Sequence, residues 1–153
     1  MRVWRLCRAL RVQDSLRGEG GVYASGRWHL RGTRIVYTSA TLSLAALEVL
    51  VHAIGAFAPL DFVAVEVEIP VSLAIERVPT SRLPIPWDAD PAPASTQELG
   101  TRWAASRRSA VLEVPSAVIP VERNYLLNPA HPHFSRVRIV GRTPFSFDSR
   151  LLT

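Results

Sequence analysis

The stretch "LAALEVLVH", residues 44–52, sets one acid into an otherwise apolar run, and between Ala40 and Leu60 Glu48 is the only formally charged residue. Stepping round a helix by threes and fours gives Leu44, Ala45 and Val51 as its neighbours, with Leu47 adjacent in the chain, so no polar stripe receives it. A buried carboxylate is costly unless it is paired or hydrogen-bonded, so Glu48 must face a cleft or meet a partner across the core; the ordinary alternatives are a wet helix edge or an ion pair. His52, one turn on, shares its face. Upstream, "SGRWHLRGTRIVYTS" places Arg27 just past a glycine-rich loop, His29 beside it and Tyr37 near a strand end. An arginine offers a planar fork that binds phosphate or carboxylate bidentately. Downstream, "VPSAVIPVERNYLLNPAHP" contributes Ser116 and Asn124.

Other chemistries lack their signatures. There is no GxSxG elbow, no HExxH and no Walker loop, and "GEGGVYASG" departs from the dinucleotide fingerprint because Tyr23 stands where its third glycine belongs. The "HPH" of His131 to His133, even with His52 and Cys7 added, lacks metal-ligand spacing, so no metal site is expected.

The elements that must hold these residues can be read from the patterning. "MRVWRLCR" reads as a first strand, "DSLRGEGGVYASG" as a glycine-rich loop and "TRIVYTS" as a second strand. Ser39 or Thr41 can cap a long apolar helix over about 41–57. "FVAVEVEIP" alternates valines with Glu66 and Glu68, as a half-buried strand does. Residues 79–94 hold five prolines and must be mostly irregular, in a loop long enough to cover a site. A second helix is expected over about 95–108 despite Gly100, followed by a short strand in "AVLEVP" stopped at Pro115. "NYLLNPAHP" reads as a structural loop, and "RVRIVGRTPFSFD" as one or two closing strands. The result is an α+β chain without βαβαβ alternation.

With 153 residues, 48% of them hydrophobic, the chain fits one domain over 1–153 with a real core. All 18 basic residues are arginine and the net charge is +5, which draws anions: nucleotides, nucleic acids or acidic protein segments. Cys7 is the single cysteine, which excludes an intramolecular disulfide and suits a reducing compartment. The N-terminal residues offer no uninterrupted apolar signal, and Glu48, His52, Gly55 and Pro59 argue against a membrane span over 40–60, so a cytoplasmic protein is expected.

The order of these motifs, from "WR" at Trp4 and Arg5 through Arg27, Tyr37, Glu48 and "VPSAVIPVERNYLLNPAHP" to "DSRLL", resembles the RES domain, the toxin half of bacterial toxin–antitoxin pairs. The resemblance implies an ADP-ribosyltransferase-like fold and a reaction that consumes NAD as substrate, with no separate cofactor, and releases nicotinamide. It places the family arginine at Arg27, the tyrosine at Tyr37, the glutamate at Glu48 and the serine at Ser116. Cleaving the nicotinamide bond builds positive charge on the ribose, so Glu48 would hold its hydroxyls and stabilise an oxocarbenium-like transition state. Arg27 would grip a phosphate or ribose oxygen, Tyr37 would offer an aromatic surface, and Ser116 and Asn124 would contribute polar contacts. His29 stands where the resemblance leads one to expect asparagine, which would alter a substrate contact.

Taken singly, each residue has a plain reading: Arg27 as a loop cation on Trp28, Tyr37 as strand packing, Ser116 as a turn former. As an ordered set they favour a site. The acceptor is open at this level, since water, inorganic phosphate and a protein side chain would make a glycohydrolase, a phosphorylase and a transferase. The implied protein partner is a helix-turn-helix antitoxin of the Xre type. Two other classes are a nucleic-acid binder or RNase-type toxin, supported by charge and aromatics but opposed by the scatter of the arginines, and a noncatalytic interaction domain.

Overall fold

The computed structural model describes residues 1–53 and 61–152. Among them are strands β1 (Arg2–Arg8), β2 (Val36–Ser39), β3 (Phe62–Glu68), β4 (Ile75–Arg77), β5 (Val111–Pro115), β6 (Arg123–Leu127) and β7 (Arg138–Phe145). The helices are α1 (Gly20–Tyr23), α2 (Leu42–Ala53) and α3 (Ala94–Ser106), with short 3-10 turns between elements. The strands make one sheet in the order β4-β5-β6-β2-β1-β3-β7. Every neighbouring pair is antiparallel except β4 and β5, which run parallel and are joined through α3.

Among the described residues three apolar clusters hold the sheet. Val3, Val36, Val65, Val67, Val111 and Leu127 lie in the first. The second gathers Trp28, Trp87, Trp103, Leu112 and Leu126. Under α2, Ala45 packs with Leu6, Phe62 and Ala64. Each fully buried valine or leucine contributes about 1.5–3 kcal/mol relative to exposure, so the central strands, with Val3, Val36, Val65 and Val67 all at 0% exposure, anchor the molecule. The Glu66 and Glu68 face of β3 is also partly covered, because Phe62 and Ala64 on that face are buried against α2.

The α+β class matches the sequence reading, and several boundaries differ. Helix α2 starts at Leu42, where Thr41 Oγ1 accepts the Leu44 N–H at 3.1 Å; Ser39, the other candidate cap, is bonded elsewhere. The described part of α2 stops at Ala53, and residues 54–57 of the expected long helix lie outside the described residues. The second helix ends at Ser106, two residues early, because Arg107 turns into the left-handed region at φ 51°. Gly100 belongs inside α3 for a packing reason: a Cβ there would sit 1.8 Å from the Trp28 carbonyl oxygen. The expected glycine loop contains the short helix α1, and only Val36–Ser39 of "TRIVYTS" pairs as strand. The first four residues of "NYLLN", read as loop, belong to strand β6, which lies between β5 and β2 with Tyr125, Leu126 and Leu127 buried. Strand β4 has no counterpart in the sequence reading. Among the described residues no helix is long and apolar enough to cross a membrane.

Candidate functional site

A cavity of about 580 Å³ opens between the β1–β2 seam, the inner face of α2 and the proline-rich segment before α3. That volume falls in the range of small-molecule sites. Arg5, Arg27, Tyr37, Glu48, His52 and Asn124 all line it. Residues that are far apart in the chain are thus brought to one wall.

Glu48 projects from the middle of α2 and is half-buried. Its Oε1 accepts two hydrogen bonds, from Ser116 Oγ at 2.8 Å and from Asn124 Nδ2 at 2.5 Å. The carboxylate cannot donate, which fixes the Asn124 amide with its nitrogen toward Glu48; its Oδ1 then accepts from Ser39 Oγ at 2.7 Å. Ser116 is itself held, its Oγ accepting the N–H groups of Val118 at 3.0 Å and Ile119 at 2.9 Å. It is therefore both a turn former and a support for Glu48, and at 0% exposure it stands behind the cavity wall. Among the described residues no hydrogen bond is made to Glu48 Oε2. One carboxylate oxygen is anchored by the protein and the other is left to the cavity.

Tyr37 is set by a second network. The loop turns sharply at residues 26–29, where Gly26 N–H donates to the His29 carbonyl at 3.0 Å. His29 Nε2 lies 2.9 Å from the Ala24 carbonyl, which can only accept, so in the neutral ring Nε2 carries the hydrogen. Nδ1 is then an acceptor, and Tyr37 Oη donates to it at 2.7 Å while accepting the Trp28 N–H at 3.1 Å. Burial lowers the pKa of His29, with the Ala24 carbonyl opposing it, and pushes the Tyr37 phenol up, so both stay neutral near pH 7. Gly26 permits this packing, since a Cβ there would come 2.7 Å from both the His29 ring and Tyr37 Oη. His29 is 5% exposed and lies behind Tyr37 rather than on the cavity wall; it orients the tyrosine.

Arg27 holds the cover. Its Nη1 donates to the carbonyls of Trp87 and Ala89, each at 2.9 Å, and Trp28 stacks on Trp87 with ring centroids 6.4 Å apart. The proline-rich segment expected to cover a site is thereby fastened to the glycine loop, and Asp90, Pro91 and Ala92 reach the cavity. His131 and His133 pack ring against ring at 5.6 Å, and no group of three or more potential metal ligands occurs among the described residues.

Sequence reasoning missed Ser39 and Arg5. Ser39 looked like a helix cap. Arg5 had a visible signal: on β1 it shares a face with Val3 and Cys7, both buried, so period-2 alternation points a guanidinium at the core.

The profile of the RES domain matches residues 2–148. The chain belongs to the RES domain family. Curated RES relatives align over nearly all of their own length. The Prs ADP-ribosylating toxin of Sphingobium sp. strain YBL2 is 37% identical, covering 97% of this chain and 95% of its own. The Toxin Res of Photorhabdus laumondii is also 37% identical, covering 99% and 97%. The Toxin Res of Yersinia enterocolitica is 36% identical over 99% of each chain. In fold, this RES domain is similar to a chain in the crystal structure of the M. tuberculosis MbcT–MbcA toxin–antitoxin complex, with TM-score 0.75 and 16% identity over 95% of this chain and 84% of that one.

Proposed function

We propose that this RES domain is the toxin of a toxin–antitoxin pair and that it cleaves NAD at the nicotinamide–ribose bond within an ADP-ribosyltransferase-like fold. The observation that carries the reading is Glu48, one oxygen anchored by Ser116 and Asn124 and the other left to a cavity of about 580 Å³. As the N-glycosidic bond breaks, its electron pair moves to the pyridinium nitrogen, neutral nicotinamide leaves, and positive charge grows at ribose C1′. A fixed carboxylate beside the sugar stabilises that charge through the ribose hydroxyls without reorganising, because its own partners already hold it. Tyr37 presents its ring to the substrate, its hydroxyl being committed to His29. Arg27 keeps the proline-rich cover in place and offers the rest of its guanidinium to a ribose or phosphate oxygen.

The acceptor completes the reaction. Water gives ADP-ribose, inorganic phosphate gives its 1″-phosphate, and a protein side chain gives an ADP-ribosylated product. The name of the Sphingobium relative, Prs ADP-ribosylating toxin, supports a protein acceptor as the second reading. An antitoxin partner, of the Xre helix-turn-helix type, and a cytoplasmic site of action follow from the same family reading. The test is incubation of purified protein with NAD, with and without phosphate and with and without cell protein, following nicotinamide and every ADP-ribosyl product by mass spectrometry. Release that vanishes in Glu48→Gln supports the proposal; no release from folded wild-type protein under any condition sinks it.

A further inference from the structure

Glu48 is not the only carboxylate on the cavity wall. On the cover side, where the glycine loop, the proline-rich segment and α3 meet, Asp90 lines the same space beside Pro91, Ala92 and Gln97. The backbone around Asp90 is fixed on both sides. Arg27 Nη1 holds the preceding Ala89 carbonyl at 2.9 Å, the ring of Pro91 restricts the chain that follows, and the Pro93 carbonyl accepts from Thr96 Oγ1 at 3.0 Å at the start of α3. Among the described residues no hydrogen bond or ion pair is made to the Asp90 carboxylate, whereas Asp14, Glu66, Glu76 and Glu113 each meet an arginine. The neighbouring Asp88 is exposed and takes no part in the cavity wall. Gln97 adds a second acceptor. Its Nε2 donates to the Gly26 carbonyl at 3.1 Å, and since a carbonyl can only accept, Oε1 is the amide atom left over. Beside the remaining N–H groups of Arg27, this side of the cavity therefore offers a ligand acceptors, one of them charged. Such a set recognises hydroxyl donors, and the two oxygens of a carboxylate suit the two hydroxyls of a ribose.

In the NAD reading Glu48 takes the ribose whose bond breaks, and a dinucleotide carries a second ribose. We propose that Asp90 holds the 2′- and 3′-hydroxyls of that second, adenosine ribose and makes the cavity selective for NAD over NADP, its 2′-phosphorylated form. The inference rests on the NAD reading for the reaction, while recognition of a ribose diol is a binding property of the cavity wall itself. Each hydroxyl donates to one oxygen of the carboxylate. A 2′-phosphate at the same point removes one donor and sets a dianion against Asp90, a repulsion that a cavity with little water strengthens.

The experiment measures nicotinamide release from NAD and from NADP by the full chain, alongside calorimetric titration with ADP-ribose and 2′-phospho-ADP-ribose. The proteins compared are wild type, Asp90→Asn, Asp90→Ala and the exposed control Asp88→Asn. Wild type is expected to favour NAD over NADP in kcat/KM by about tenfold to a hundredfold, chiefly through KM. Asp90→Asn keeps the shape and loses the charge, so the preference shrinks by about tenfold through a lower KM for NADP, with kcat on NAD unchanged. Asp90→Ala also loses the acceptors and raises KM for NAD by about tenfold. Asp88→Asn keeps the wild-type preference. Equal use of both dinucleotides by wild type overturns the proposal, as does a change in Asp90→Asn that affects both substrates by one factor, which would mean that Asp90 only shapes the cover. An unchanged KM for NAD in Asp90→Ala overturns the contact with the diol. The binding data keep this inference separate from the NAD reading. No release from either dinucleotide by folded wild type defeats the NAD reading, and calorimetry then decides. Tighter binding of ADP-ribose than of its 2′-phosphate in wild type, levelled in Asp90→Asn, keeps the diol site; equal affinities, no binding of either, or a preference that Asp90→Asn leaves intact overturns it. Release from NAD and NADP at one kcat/KM keeps the NAD reading and removes the role of Asp90.

Discussion

Asn124 illustrates how a residue acts through another. Its amide bridges Ser39 Oγ and Glu48 Oε1, so it supports the carboxylate that faces the substrate. A hydrogen bond to a charged group contributes about 1.5–3 kcal/mol. In Asn124→Ala, kcat for nicotinamide release is therefore expected to drop by about tenfold to a hundredfold, with KM changed far less. A rise in KM at constant kcat would show that Asn124 binds substrate directly. His29 yields a prediction in pH. Its folded pKa is lowered by burial, so the folded state resists the proton that the unfolded chain accepts near pH 6.5. The stability it contributes is complete above that value and is lost as pH falls toward the folded pKa. Protonation also turns Nδ1 into a donor facing Tyr37 Oη, which inverts the bond that holds the tyrosine. Urea unfolding between pH 8 and pH 5 is expected to show a steeper acid-side decline in wild type than in His29→Gln; equal slopes would remove His29 as the cause.

At the scale of elements, α3 and the glycine loop form one joint. Gly100 meets the Trp28 backbone, Gln97 Nε2 donates to the Gly26 carbonyl at 3.1 Å, and Thr101 Oγ1 accepts the Leu30 N–H at 2.9 Å. Alanine in place of a helical glycine normally gains about 0.5–1 kcal/mol. Here the added Cβ would meet a backbone atom at 1.8 Å, and overpacking of that kind costs about 1–3 kcal/mol or more. Gly100→Ala is thus expected to lower the urea midpoint; a higher midpoint would show that the joint is loose. The same joint explains what the sequence could and could not convey about elements. Strand β3 was legible because its alternation is local, β1 because its short apolar-rich run ends before a glycine-rich loop, and α3 because its composition outweighs one glycine. Strand β6 was not, since "NYLLN" sits among prolines and asparagines that signal loops, and it becomes a strand only by pairing with β5 and β2. Strand β4, three residues at the sheet edge, carries too short a pattern to read.

Over the whole molecule, the candidate site is a product of topology. The residue types of Arg27, Tyr37, Glu48 and Ser116 stand in the chain in readable order, but their partners do not. Glu48 is bonded to residues 68 and 76 positions away, Ser39 to one 85 away, and Arg27 to one 62 away. No local pattern can announce such pairs; they exist only once β2 lies against β6 and the proline-rich segment closes on the glycine loop. Arg5 shows the converse, a local anomaly whose meaning appears only when the cavity around it is seen. A site assembled from so many parts cannot form while the sheet is open, so a ligand that occupies it binds the folded state and not the unfolded chain. Saturation with ADP-ribose at a hundredfold above its dissociation constant is then expected to add about 2.7 kcal/mol to global stability. At about 2–4 °C per kcal/mol for a chain of this size, the thermal midpoint of the whole sheet, followed by far-ultraviolet circular dichroism, rises by about 5–10 °C. A midpoint that stays fixed while calorimetry reports tight binding would mean that the cavity opens and closes independently of the sheet, in which case the Glu48–Asn124 bond is not the tie between site and fold that its geometry indicates.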